Sequence, residues 1–177
     1  MVCEPETYYL KPNKHAPNND MPVLIYRDCL PLPLSEDRTT GFLEAHAWVK
    51  KGVWGHIPRR HFHPNTHECY GVFQGSSTIL VGCGTNDTDG GEQIDVQAGD
   101  VIVLPAGTGH CNLQSTPDYR YIGVYPEGAP KWRNELGEEA INLEEYQKEI
   151  NGVDLPLQDP VNGADGPLLQ LWAKPSD

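Results

Sequence analysis

GHIPRRHFHPNTHECYGVFQG, Gly55 to Gly75, gathers His61, His63, His67 and Glu68 within eight positions between two glycines. In an extended backbone alternate side chains share a face, so His61 and His63 project together while Phe62 points the other way. Pro64-Asn65-Thr66 reads as a turn, after which Glu68 opens the apolar run CYGVF and points back toward the two imidazoles from a neighbouring strand. Farther along, AGDVIVLPAGTGH, 98–110, presents an apolar strand, a turn built from proline and glycines, and His110 at the start of another strand. His61, His63, Glu68 and His110 are the candidate ligands. Three neutral imidazoles and one carboxylate suit a single divalent transition ion per chain, Fe, Mn, Co, Ni, Cu or Zn, and leave positions open for water or substrate.

An isolated His-x-His is weak evidence, because surface histidines fall at that spacing by chance. The surrounding glycines carry the argument. Gly55 is followed after five residues by His61-x-His63, then after four by Glu68 and after six by Gly75; Gly99 is followed after five by Pro105-x-Gly107 and after two by His110. In residue types and spacing this resembles both signature motifs of the cupin family, two segments separated by residues 76–98. One position departs from the family pattern: four residues after His110 stands Gln114, the nearest asparagine being Asn112. The resemblance implies an all-β fold, a double-stranded β-helix or small jelly-roll barrel of two antiparallel sheets with the metal in its mouth. More narrowly, HFHPNTHECYGVFQG, VYPEG and DPVNGADGPLLQLW are similar to the YjlB-like branch of single-domain cupins, a likeness that extends over most of the chain.

Outside the two motifs, the 177 residues suffice for one hydrophobic core and are few for two. We expect an N-terminal arm and short helix over 1–52, the barrel over 53–126, and a helix with its tail over 127–177, all in one unit. Residues 1–34 are rich in proline and asparagine, and Val23-Leu24-Ile25-Tyr26 reads as an edge strand laid over the domain. Phe42, Ala45 and Val49 recur at helical spacing, with Thr39 or Thr40 as cap and Gly52 as stop, which predicts a helix over 42–51. VWGHI, ECYGVF, STILVGC, QIDVQ, VIVL and YRYIGVY are short β-rich runs between turn residues. Leu143, Tyr146 and Ile150 predict a second helix, capped by Asn142 with Glu145 and ended by Gly152. No internal repeat points to a second barrel.

Charge and composition exclude several roles. Twenty-five acidic against thirteen basic residues give a net charge of −12, and no basic cluster exceeds the pairs Lys50-Lys51 and Arg59-Arg60, which disfavours nucleic acid and anionic membranes as partners. The longest apolar stretch, Val101 to Leu104, is far below the roughly 20 residues of a membrane-spanning helix. No basic head precedes an apolar run at the N-terminus, so a cytoplasmic location is expected. The five cysteines are scattered without a Cys-x-x-Cys pair and are expected to be reduced; Asn86-Asp87-Thr88 then matches a glycosylation acceptor by chance.

By strand parity Arg59 shares a face with His61, and Tyr70 with Glu68. Both are candidate catalytic residues, Arg59 to hold a carboxylate and Tyr70 to relay a proton, with a salt-bridged arginine and a packed tyrosine as the plain alternatives. Asn112 is a further inward candidate. His67 is expected to point away from the metal, His15, His46 and His56 to be surface or packing residues, and Cys69, Cys83 and Cys111 to be structural thiols. Cupins with this ligand set include dioxygenases, oxalate-degrading enzymes and isomerases. The resemblance therefore implies an oxygen-dependent oxidation of a small oxygen-bearing molecule, a redox-neutral Lewis-acid isomerisation, decarboxylation or cyclisation, or a non-catalytic binding barrel. It also implies a homodimer, with residues 20–30 as an exchanged or covering strand.

Overall fold

A computed structural model describes residues 2–173. Two antiparallel sheets face each other, and strand periodicity explains the core between and around them. The larger sheet contains β1 (Glu6–Tyr8), β2 (Val23–Tyr26), β3 (Trp48–Trp54), β4 (Glu68–Gln74), β7 (Val101–Leu104) and β9 (Arg120–Pro126), in the order β1-β2-β7-β4-β9-β3. The smaller contains β5 (Ser76–Val81), β6 (Glu92–Gln97) and β8 (His110–Ser115), in the order β6-β5-β8.

Along β7, Ile102 and Leu104 pack into one cluster with Ile79, Val81, Ile94 and Val96 of the small sheet. Val101 and Val103 point the opposite way, into a cluster with Leu43, Trp48, Leu168 and Trp172. An apolar run without alternation is what a strand buried on both faces requires. Each such aliphatic side chain contributes roughly 1.5–3 kcal/mol relative to exposure. The inner face is the sandwich core; the outer face is covered by α1 (Glu36–Glu44) and by the C-terminal segment with α3 (Pro167–Leu171).

Gly75 links β4 of one sheet to β5 of the other. Its φ is +70°, and a Cβ there would meet backbone atoms of Tyr119 at 2.7 Å, so the last residue of the opening stretch has to be glycine.

Three expectations are corrected. The predicted helix over 42–51 lies earlier: α1 is capped by Ser35, whose side chain accepts the Arg38 N–H at 3.2 Å, and it ends at Ala45. Ala47 takes a positive φ of 62° and the chain continues as β3, where Val49 pairs with Tyr125 and Val53 with Ile122. Pairing with β9 outweighs the helical spacing that Val49 shares with Phe42 and Ala45. The VLIY run is not an edge strand; β2 sits between β1 and β7, with Leu24 opposite Val103 and Ile25 opposite Ile102. Finally, not all five cysteines are reduced, since Cys3 and Cys29 are joined as a disulfide. Antiparallel pairing of Glu6 with Ile25 and Tyr8 with Val23 brings these two distant positions to the same end of the β1–β2 pair.

The second helix matches its prediction: α2 (Leu143–Asn151) is capped by Asn142, which accepts from the Glu145 N–H, and stops at Gly152. No helix among the described residues is long and apolar enough to cross a membrane.

Candidate metal centre

Residues 61–63 are tied on both sides. His61 exchanges backbone hydrogen bonds with His110 at 2.9 and 3.2 Å, and Phe62 does so with Glu135 at 2.8 and 2.9 Å. The expected alternation holds: Phe62 packs edge-on against Tyr146 of α2, while His61 and His63 face inward. Glu68 begins β4 opposite Leu104, and His110 begins β8. The ring centroids of His61, His63 and His110 lie 4.3–5.4 Å apart, and one ligand atom from each lies within 4.8 Å of the others. Glu68 Oε2 is 3.1 Å from His63 Nε2 and 3.2 Å from His110 Nε2.

Hydrogen bonds behind the rings set the tautomers. His61 Nδ1 is 2.8 Å from the Arg59 carbonyl, His63 Nδ1 is 3.0 Å from that of Arg133, and His110 Nδ1 is 2.9 Å from that of Thr108. A carbonyl only accepts, so each Nδ1 carries a proton and each Nε2 is turned to the interior. This is the arrangement that orients a metal-binding imidazole.

Burial, together with the neighbouring His110, holds the His61 pKa down at about 3, so that ring stays neutral. Burial pushes the Glu68 carboxyl up, but His63 and His110 outweigh it and keep it well below the usual carboxylate range. Burial also lowers His63, and the Glu68 charge beside it more than reverses this. Three imidazole nitrogens and a carboxylate therefore crowd one place, with Glu68 Oε2 between His63 Nε2 and His110 Nε2. His61, His63 and His110 form a group that could hold a metal ion, with the Glu68 carboxylate against two of the three rings.

The carboxylate has its own supports. Tyr125 donates to Glu68 Oε1 at 2.8 Å, and Tyr70 donates to Oε2 at 3.3 Å. Tyr70 thus reaches Glu68 as parity suggested. Arg59 lies at the rim of the same cavity, exposed and paired with Glu138 at 3.1 Å. Asn112 uses its amide structurally: Oδ1 accepts the Ile57 N–H at 2.8 Å and Nδ2 donates to Ser77 Oγ at 2.8 Å.

The remaining histidines lie elsewhere. His67 is fully buried on the far side of its strand, where Nδ1 accepts the Ala106 N–H at 2.9 Å and the ring packs 4.8 Å from that of Trp172. His15, His46 and His56 bond Glu139, Pro160 and Ser115 respectively. Cys69, Cys83 and Cys111 are buried, and burial raises all three thiols.

His61, His63 and Glu68 open onto a cavity of about 480 Å³; His110 lines the small space behind it with His61 and Tyr70. The cavity's aromatic wall was missed in the sequence: Trp54, Tyr121, Tyr125 and Trp132 line it with Tyr70. Tyr121 and Tyr125 alternate in YRYIGVY and could have been found by parity; Trp132 stands in an irregular segment without a periodic signal. A larger cavity, about 740 Å³, lies against α2 and residues 126–130 and includes none of the four ligand candidates.

Two facing antiparallel sheets that bring three histidines and a glutamate together define a β-barrel of the cupin type, with a histidine group that could hold a metal. The cupin family model matches residues 58–125, and the chain is 32% identical to YjlB, an uncharacterized protein of Bacillus subtilis (strain 168), over 98% of this chain and all of that one. The protein belongs to the cupin family. Among solved structures it is similar to oxalate decarboxylase from Lactobacillus farciminis in its formate complex, at 18% identity and a TM-score of 0.35 over 65% of this chain and 25% of that one. It is also similar to vicilin from Solanum lycopersicum, at 14% identity and 0.38 over 65% and 29%, and to the 11S globulin from Wrightia tinctoria, at 16% and 0.37 over 50% and 21%. The chain thus spans under a third of each of these three proteins.

Proposed function

We propose that the protein is a metal-dependent enzyme acting on a small oxygen-bearing organic molecule at the His61–His63–Glu68–His110 site, by oxygen-dependent oxidation of the dioxygenase kind. The observation that carries the metal reading is the convergence of one ligand nitrogen each from His61, His63 and His110 within 4.8 Å of one another, with the Glu68 carboxylate 3.1 and 3.2 Å from two of the rings. A divalent transition ion in such a set supplies Lewis acidity and, where redox-active, electron exchange with dioxygen. The chain's own groups do the rest. The backbone carbonyls of Arg59, Arg133 and Thr108 hold the imidazoles in the binding tautomer. Tyr125 and Tyr70 hold the carboxylate by donating to its two oxygens. Trp54, Tyr121, Tyr125 and Trp132 offer an organic substrate apolar faces beside the ligand set. Arg59, paired with Glu138, stands at the rim past which a substrate enters.

Metal analysis of protein purified without added metal, wild type beside His61→Ala, tests the site; oxygen uptake with chelating phenols and keto acids tests the reaction. Near-stoichiometric Fe, Mn, Ni or Cu that disappears in the variant, with substrate-dependent oxygen uptake, is the expected result. Zinc with anaerobic turnover would replace oxidation by the redox-neutral isomerase or decarboxylase reading. No metal in either protein would leave a binding barrel.

A homodimer is part of the same proposal. Among the described residues β3, a seven-residue strand, is paired on one side only, by β9, and so has an edge to offer a second copy. Residues 20–30 hold β2, which is already paired on both sides. A mass near twice 19.7 kDa in solution is expected, and a monomer mass would refute it.

A further inference from the structure

We propose that the substrate of this site is a flat aromatic ring bearing two adjacent oxygens, bound as a monoanion, and that Trp132 with Trp54 selects it. The inference rests on the metal reading above and adds the class of molecule.

Shape is the first ground. Trp132 lies 5.0 Å from Tyr125 at an interplanar angle of 11°, and Tyr125 in turn bonds Glu68, so the indole stands one ring away from the ligand set. Trp54 meets Trp132 edge-on at 6.1 Å and Tyr121 at 6.2 Å. Ile57 and Leu136 complete the wall, which offers a ring faces and edges to pack on. A cavity of about 480 Å³ is also several times larger than a two-carbon acid would fill.

Charge is the second ground. A divalent ion with one carboxylate and three neutral imidazoles leaves a single net positive charge inside. The cavity's one cationic side chain, Arg59, is exposed at the rim and already neutralised by Glu138. A monoanionic chelate therefore balances the site, whereas a dianion such as oxalate would place an unpaired negative charge among aromatic rings. An ortho-hydroxycarbonyl, a tropolone-like ring or a catechol losing one proton fits both conditions.

The test uses zinc-loaded protein, which binds without turnover, and three probes: tropolone, acetylacetone and oxalate. Tropolone and acetylacetone chelate as monoanions through two oxygens and differ in the ring. We expect Trp132→Ala to weaken tropolone about tenfold, the size of one lost ring contact. Trp132→Phe should restore most of it, acetylacetone should change less than twofold, and oxalate should bind wild type more weakly than tropolone. Zinc content, measured before any probe is added, should be equal in all three proteins. Full zinc with tropolone and acetylacetone affected alike, or with oxalate bound most tightly, would overturn the inference and leave the metal site standing. A wild-type protein that takes up no metal would overturn the site, and the inference with it.

Discussion

Tyr125 donates to Glu68 Oε1 at 2.8 Å, while Tyr70 reaches the other oxygen of the same carboxylate at 3.3 Å. The two phenols are unequal supports, and the shorter bond comes from the strand that also carries the cavity wall. Tyr125→Phe is expected to weaken metal binding about tenfold or more, in the range seen when a ligand's supporting hydrogen bond is removed. Tyr70→Phe should weaken it less. Competition against a chromophoric chelator measures both, and a larger loss in Tyr70→Phe would show that Oε2, not Oε1, governs the carboxylate's position.

His67 and Glu68 are adjacent in sequence and opposite in consequence. Glu68→Ala, His61→Ala or His110→Ala should sharply lower metal content with the fold retained. His67→Ala should keep the metal and destabilise the protein by about 2–4 kcal/mol, because it removes a buried ring from against Trp172 and leaves the Ala106 N–H without its acceptor. Chemical denaturation alongside metal analysis separates the two behaviours.

Asp159 is fully buried and accepts hydrogen bonds from the Tyr26 hydroxyl and from the N–H groups of Val161, Asn162 and Leu168. Asp159→Asn replaces one acceptor oxygen by a donor facing donors. A loss of about 3 kcal/mol is expected, read as a lower denaturation midpoint with unchanged metal content. An unchanged midpoint would mean that the C-terminal segment is held by its apolar packing and its other hydrogen bonds, such as Trp172 to Pro22, without help from Asp159.

The Cys3–Cys29 pair predicts three free thiols out of five in denaturant without reductant, and five after reduction. Five in both would return the chain to the fully reduced state expected of a cytoplasmic protein.

The ligand set was legible because two periodicities agree: strand alternation points His61 and His63 the same way, and glycine spacing places Glu68 and His110 on strands that return to them. β3 was hidden because Phe42, Ala45 and Val49 fit a helix as well as Val49 and Val53 fit a strand, and only pairing with β9 decides. Trp132 was hidden for a different reason. It stands in a stretch held by the Asn65 contacts to Lys131 and Arg133, a long-range tether that leaves no period in the sequence. The disulfide too depends on register between β1 and β2, a relation between distant segments that composition does not carry.

Trp172 packs into the outer cluster with Leu24, Tyr26 and Val103, and its indole N–H donates to the Pro22 carbonyl 150 positions earlier. During synthesis this seal cannot form until residue 172 has left the ribosome. Until then the outer face of β2 and β7 lacks part of its cover and is open to wrong partners. A nascent chain halted before Trp172 would thus be a client for chaperones even with every metal ligand already made.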